Sequence, residues 1–288
     1  MTALFDLFTP FALLAGTCCA IVQIVLYLLF VTNFFGEGPW SIMPSFTAHQ
    51  IVVIPVLIYL SIQGLNEFDI REVIGASAST TATATTAVER VTGPMHGHFS
   101  EFVLGMMFFW DIPTGLCTPA LRELPMIFHH VGMFMTAAIS MGILSNGTPI
   151  LGYYAPFYFG IIEISSLPLI IVDIYHPKHK AWHAYLNSNE RSGWVMKLND
   201  MARPLFALLF MFIRMIAFPY VSVMGVLRDV LHVTSLPLDQ RNNVPDLPLY
   251  ILAFLNVSFS CLQLYWGTLL IRQIIKLLQG PKKTAKVD

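Results

Sequence analysis

Apolar residues in this chain fall in blocks of about 20, the length that crosses a hydrocarbon core at 1.5 Å per residue. Backbone groups in lipid must be satisfied within their own segment, so such blocks become helices. The pattern predicts spans at Phe11–Phe35, Ala48–Gly64, Ser100–Thr118, Met126–Leu144, Ile150–Tyr175, Met201–Leu227 and Leu249–Ile271. Turn formers stand at the boundaries: Gly36, Gly38, Pro44, Pro119, Pro125, Asn146-Gly147, Pro177 and Pro248. The expectation is an all-α polytopic membrane protein of about seven transmembrane helices.

Two connections are long. Residues 65–99 contain the low-complexity run Ser77-Ala78-Ser79-Thr80-Thr81-Ala82-Thr83-Ala84-Thr85-Thr86, which reads as a flexible linker. Residues 176–200 are basic and aromatic, with Trp182 and Trp194 where interfacial anchors belong. Asn146-Gly147-Thr148 is a glycosylation sequon, but its loop is very short and Pro149 follows, so it is expected to stay unused.

Composition supports the membrane reading. Of 288 residues 56% are hydrophobic and only 11% charged, with a mean hydropathy of +0.66; a soluble domain carries roughly twice that charge fraction. The net charge of −1 lacks the basic stripe that nucleic-acid binding requires. Cys18, Cys19, Cys117 and Cys261 lie inside apolar blocks without CxxC spacing, which makes them packing residues rather than a disulfide framework or a zinc site. The start, Met1-Thr2-Ala3-Leu4-Phe5-Asp6, lacks a basic n-region and a small-residue cleavage site, so the first span is expected to stay as a signal anchor.

Charge also sets an expected orientation. With seven spans, the N-terminal side holds Arg71, Arg90, Arg228 and Arg241. The opposite side holds Arg122, Lys178, Lys180, Arg191, Lys197, Arg203, Arg272, Lys276, Lys282, Lys283 and Lys286. The positive-inside rule then puts the C-terminus in the cytosol and the N-terminus outside or in a lumen. The tail at Pro281-Lys282-Lys283 is expected to be solvated, with weak attraction to anionic headgroups.

Ionisable residues within spans are costly and face a bundle interior or cavity, so they are the default site. Counting helical rise from the cytosolic ends puts Asp111 roughly 10 Å deep, and Glu163 and Arg214 about 18–20 Å deep. His49 opens the second span, and His129 and His130 sit just inside the fourth. Two layers result. Glu163 and Arg214 share one level with opposite charge, as a buried ion pair that fixes helix register. His49, Asp111, His129 and His130 form the other, either as hydrogen-bonded packing residues or as a His–Asp acid/base or nucleophile site. Consecutive His129 and His130 diverge by about 100° on a helix, so they cannot share one facing. His176, His179 and His183 have i, i+3, i+7 spacing, but Pro177, Lys178 and Lys180 favour a headgroup-facing segment over a metal site. No metal or cofactor is expected.

These residues, in order along the chain, resemble the TLC family shared by translocating-chain-associating membrane proteins, ceramide synthases and ceroid-lipofuscinosis-type proteins. Ser45-Phe46-Thr47-Ala48-His49 resembles the opening of its first core helix, and Phe109-Trp110-Asp111 its helix ending in aspartate. Phe128-His129-His130 resembles its double histidine, and Glu163-Ile164-Ser165-Ser166-Leu167-Pro168 its Glu-x-Ser-x-Pro motif with one extra residue before the proline. Phe212-Ile213-Arg214 with Phe218-Pro219-Tyr220 resembles its Phe-x-x-Arg…Pro helix, one residue short between Phe and Arg. Tyr265-Trp266 with Arg272 resembles the closing helix.

The resemblance covers residues 40–278. It implies six helices ringed around a lipid-accessible cavity, preceded by a segment 1–39 with one extra span and followed by a basic cytosolic tail, 279–288. It also implies an endoplasmic-reticulum membrane. Ceramide synthases carry a His-Asp-x-x-Asp segment after the double histidine; here Glu163 and Ser165 stand instead, nearer the ceroid-lipofuscinosis-type and TLC-domain-containing branch. Two readings stand. One is acyl-chain handling and membrane lipid homeostasis, by an acyltransferase-like transfer through His130 with Asp111, His129 and His49 in support and acyl-CoA as donor. The other is a non-catalytic lipid sensor, cargo receptor or structural membrane subunit, as a homo-oligomer or with a partner membrane protein. A seven-span retinal protein is excluded, because Schiff-base chemistry needs a lysine in the last span and Leu249–Ile271 has none.

Overall fold

The computed structural model describes residues 8–71, 86–188 and 193–279. Most of the expected Ser/Thr/Ala linker (residues 77–85), Arg191 and the basic tail beyond Gln279 lie outside the described residues. All regular structure among the described residues is helical. In chain order the elements are α1 (Pro10–Val31), α2 (Pro44–Glu67), α3 (Ala87–Thr92), α4 (the helical run 99–117) and α5 (Leu124–Ser140). They continue with α6 (Gly152–Ile174), α7 (Lys180–Asn187), α8 (Gly193–Thr234) and α9 (Asp246–Gln279).

Helices α1, α2, α6, α8 and α9 are each long and apolar enough to cross a membrane, and α5 is apolar but has 17 residues. The chain is an integral membrane protein. The outward side chains agree: Leu14, Ile21, Phe212 and Phe254 are each at least 60% exposed, a surface that only lipid would cover without penalty. Helices α8 and α9 overrun the expected spans at both ends, because their polar first and last turns continue the helix past the apolar block.

Packing order follows from small residues and prolines. Gly105 of α4 lies against the backbone of α1, where an added Cβ would strike the Ala12 carbonyl; close backbone approach at small residues is how apolar helices associate in lipid. Gly64 of α2 and Gly160 of α6 meet in the same way. Around the bundle, α4 packs on α5, α5 on α9, α9 on α8, α8 on α6 and α6 on α2. Val52, Val56 and Leu60 of α2 share an apolar cluster with Phe99, Val103 and Leu104 of α4, which closes a six-membered ring. Helix α1 lies outside it, against α2 and α4.

The ring leaves a small, partly open cavity between its helices. Its walls come from α5, α6, α8 and α9, including His129, Thr136, Tyr158, Glu163, Phe218 and Asn256.

The helices around it are irregular where they carry polar groups. Pro113 has no N–H for the Phe109 carbonyl, and the turn just before it, Met107–Asp111, is π-helical. Pro219 acts similarly in α8, between π segments Phe210–Ala217 and Val221–Leu227. Helix α6 is interrupted at Gly160 and tightens to 3-10 over Ile161–Ser165. π turns inside α-helices recur at functional sites.

The connection read as a flexible linker holds α3. Thr86 and Glu89 cap it reciprocally: the Glu89 N–H donates to Thr86 Oγ1 at 3.2 Å, and the Thr86 N–H to Glu89 Oε2 at 2.8 Å. The sequence Thr86-Ala87-Val88-Glu89 is a capping-box signature, so this helix start was readable.

Candidate functional site

Asp111 ends the π turn of α4 and is 5% exposed. The wider turn and the helix it continues bring its carboxylate between two histidines. Oδ1 lies 2.9 Å from Nε2 of His49 on α2. Oδ2 lies 2.6 Å from Nδ1 of His130 on α5, an ion-pair contact. Trp110 stacks on the His49 ring at 5.2 Å between centroids and donates its indole N–H to Gln23 at 3.4 Å. Gln23 of α1 in turn donates to the Ser45 carbonyl at 3.1 Å, and Ser45 and Thr118 share a hydroxyl hydrogen bond at 2.6 Å. The histidine–aspartate group is therefore held from α1, α2, α4 and α5 at once.

The structure separates the two consecutive histidines. His130 turns to Asp111, while His129 lines the cavity, edge-on to Phe259 and Trp266 of α9. Their ring centroids are 5.6 Å apart. The cavity wall thus holds His129 and not His130. The His130 side chain is 23% exposed, and with Nδ1 at Asp111 its Nε2 has no hydrogen-bond partner among the described residues. His49 Nδ1 and His129 Nδ1 are buried and also lack one.

Chemically, a carboxylate at Nδ1 fixes the tautomer that leaves a lone pair on Nε2 and stabilises the imidazolium formed when Nε2 reacts. Asp111 Oδ2 and His130 Nδ1 stand at ion-pair distance for this relation, without the alignment of a hydrogen bond.

At mid-bundle, Arg214 sits in the π segment of α8. Its closest contacts are hydroxyls: Nε donates to Ser165 Oγ at 2.7 Å and Nη2 to Ser166 Oγ at 2.7 Å, with Nη1 reaching Gln263 Oε1 at 3.4 Å. Glu163 lies 3.7 Å away through Oε2, an ion pair beyond hydrogen-bond distance. The carboxylate faces the cavity.

His176, His179 and His183 find separate partners. His176 Nδ1 accepts from the Lys178 N–H at 3.2 Å, His179 packs on Phe46 at 4.1 Å, and His183 Nδ1 lies 3.1 Å from the Tyr175 carbonyl. Trp182 is no free anchor, since it donates to Thr47 at 3.1 Å; Trp194 is 63% exposed. Lys178 bridges Asp173 at 2.8 Å and Glu123 at 2.9 Å. Burial opposes its charge, but the two carboxylates prevail and raise its pKa above the ordinary lysine value.

The sequence reading missed a buried cluster at the opposite end of the bundle. Arg90 of α3 donates to Asp229 of α8 at 2.6 and 3.0 Å, and the Tyr154 hydroxyl donates to the same carboxylate at 2.6 Å. Burial disfavours the Arg90 charge, yet Asp229 more than offsets it and pushes the guanidinium pKa above its usual range. Asp229 fell just beyond the span expected to end at Leu227. An acidic residue two positions past an apolar block, with a capped arginine helix elsewhere, was the available signal.

The profile of the TLC domain family matches residues 80–272, more than half of the chain. No curated protein and no solved structure matches it.

Proposed function

The chain belongs to the TLC domain family, and from that membership we propose that it binds and remodels membrane lipids by acyl transfer through His130. The observation that carries this reading is Asp111 held between His49 and His130, next in sequence to His129 on the cavity wall. A histidine with one nitrogen on a buried carboxylate and the other free is equipped for nucleophilic or general-base work. With an acyl thioester such as acyl-CoA as donor, Nε2 bonds to the carbonyl carbon and the C–S bond breaks. Asp111 stabilises the acyl-imidazolium. The acceptor hydroxyl then takes the acyl group, and its proton ends on the departed thiolate, which leaves as thiol.

His49 is the positioning residue for Asp111, and His129 lines the cavity with its ring 5.6 Å from that of His130. We assign residues 40–278 to the lipid-handling domain, because α2 supplies His49 from upstream of the family match. Residues 1–39 add α1, and 279–288 are a basic tail. The excess of lysine and arginine, eleven against four, supports a cytosolic C-terminus and a lumenal N-terminus, in the endoplasmic-reticulum membrane.

The test pairs the cellular lipid profile with the melting temperature in detergent. His130→Ala should abolish the lipid change that the wild type produces and leave the melting temperature nearly unaltered. Purified wild type given a long-chain acyl-CoA should carry an acyl mass on the peptide containing His130. Normal lipid remodelling by a folded His130→Ala protein sinks acyl transfer and leaves a sensor or receptor.

A further inference from the structure

The wall of the cavity specifies the polar end of what fills it. Glu163 is 8% exposed and lines the cavity. Its carboxylate accepts no hydrogen bond among the described residues; the nearest cation, Arg214, stays 3.7 Å away. Arg214 cannot close that gap cheaply, since its short hydrogen bonds go to Ser165 and Ser166 at 2.7 Å each. Across the cavity, Asn256 Oδ1 is buried and unpaired. Two of the neighbouring hydroxyls donate elsewhere, Thr136 to the Gly132 carbonyl at 2.9 Å and Tyr154 to Asp229 at 2.6 Å, and Tyr158 shares a hydrogen bond with Ser222 at 3.1 Å. A buried carboxylate can only accept, and leaving it unpaired is expensive.

Charge narrows the choice. Glu163 and Arg214 already neutralise each other at this level, with Arg214 fixed behind the carboxylate. A cationic ligand would leave the layer with one uncompensated positive charge, and an anionic one would place two negative charges together. Both are costly in an apolar bundle. Phe159, Phe218, Leu252 and Phe259 give the wall an apolar stretch, beside the polar His129, Ser140 and Gln263.

We infer that the cavity selects an uncharged lipid whose polar end donates hydrogen bonds, through hydroxyl or amide N–H groups, to Glu163 and Asn256. This rests on the cavity being a lipid site, as proposed above, but not on His130 chemistry.

Four probes sharing one oleyl chain test it on the purified wild-type protein in detergent, by binding-induced thermal shift and native mass spectrometry. They are monooleoylglycerol (neutral, donating), methyl oleate (neutral, without a donor), oleate (anionic) and oleylamine (cationic). Monooleoylglycerol should bind at least about tenfold more tightly than each of the others, the scale of one unmade buried hydrogen bond. Glu163→Gln and, independently, Asn256→Leu should each shrink its margin over methyl oleate. Equal binding of methyl oleate would overturn the inference while keeping the lipid site, since water would then be satisfying Glu163. Preference for oleylamine or oleate would overturn the neutrality argument. Failure of all four to bind would overturn the inference together with the lipid-cavity reading.

Discussion

Two buried carboxylates, Asp229 and Asp111, sit at opposite ends of one helix ring and are finished differently. Asp229 receives two bonds from Arg90 and one from Tyr154, and is 1% exposed. Its partners are the Arg90 and Arg228 guanidinium groups and a hydroxyl, so both carboxylate oxygens are taken up. Asp111 is almost as buried, but its partners are imidazoles with spare nitrogens, one of them on a side chain that is 23% exposed. Burial alone therefore says little about role. What matters is whether the groups around the charge have spent their hydrogen-bonding capacity. The saturated end reads as a structural lock joining α3, α6 and α8, the unsaturated end as a site.

That contrast can be broken by measurement. The largest effect should come from Asp229→Ala, which removes the carboxylate facing the buried Arg90 guanidinium and should cost about 3–5 kcal/mol. Pairing Arg90→Met with Asp229→Leu should recover much of the loss in melting temperature. A fully stable Asp229→Ala protein would mean the lock holds nothing.

Asp111→Ala should cost less, roughly 1–3 kcal/mol, because it leaves imidazoles rather than a guanidinium without their carboxylate. A larger loss than for Asp229→Ala would invert the comparison.

Glu163 and Arg214 fall between the two ends. Their separation of 3.7 Å, against 2.6 Å for Arg90 and Asp229, implies a weak coupling. A double-mutant cycle with Glu163→Gln and Arg214→Met should give about 1 kcal/mol or less, whereas Ser165 and Arg214 should couple more strongly. Equal or stronger coupling to Glu163 would restore the simple ion pair.

His130→Ala should have the smallest effect on stability, under about 1 kcal/mol, since Asp111 keeps His49. Its effect on lipid remodelling should nevertheless be complete. A loss of stability as large as that of Asp111→Ala would make His130 a packing residue.

Much of the architecture was legible because hydropathy is a local sum. A run of about 20 apolar residues becomes a helix in lipid whatever its neighbours do, and proline, glycine and Asn-Gly mark its ends. The grouping of the site residues followed too, since helical rise converts position into level along the bundle: Asp111 with His49 and His130, Glu163 with Arg214. The capping box at Thr86–Glu89 is equally local, although a low-complexity run precedes it.

Facing and partnership were decided only by the tertiary structure. A period of 3.6 residues assigns faces when the helix is regular, but Asp111 and Arg214 lie in π turns and Glu163 in a 3-10 turn, where the phase slips. That slip, with the 100° between neighbours, set His129 on the cavity and His130 on Asp111. Arg214 had one opposite charge at its own depth, and sequence reasoning paired it with Glu163. In the folded ring, the nearer hydroxyls of Ser165 and Ser166 satisfy its donors at 2.7 Å. Arg90 and Asp229 are 139 residues apart, and no periodicity links them. Their pairing exists because α3 docks on the end of α8, a closure that depends on every helix between them being packed.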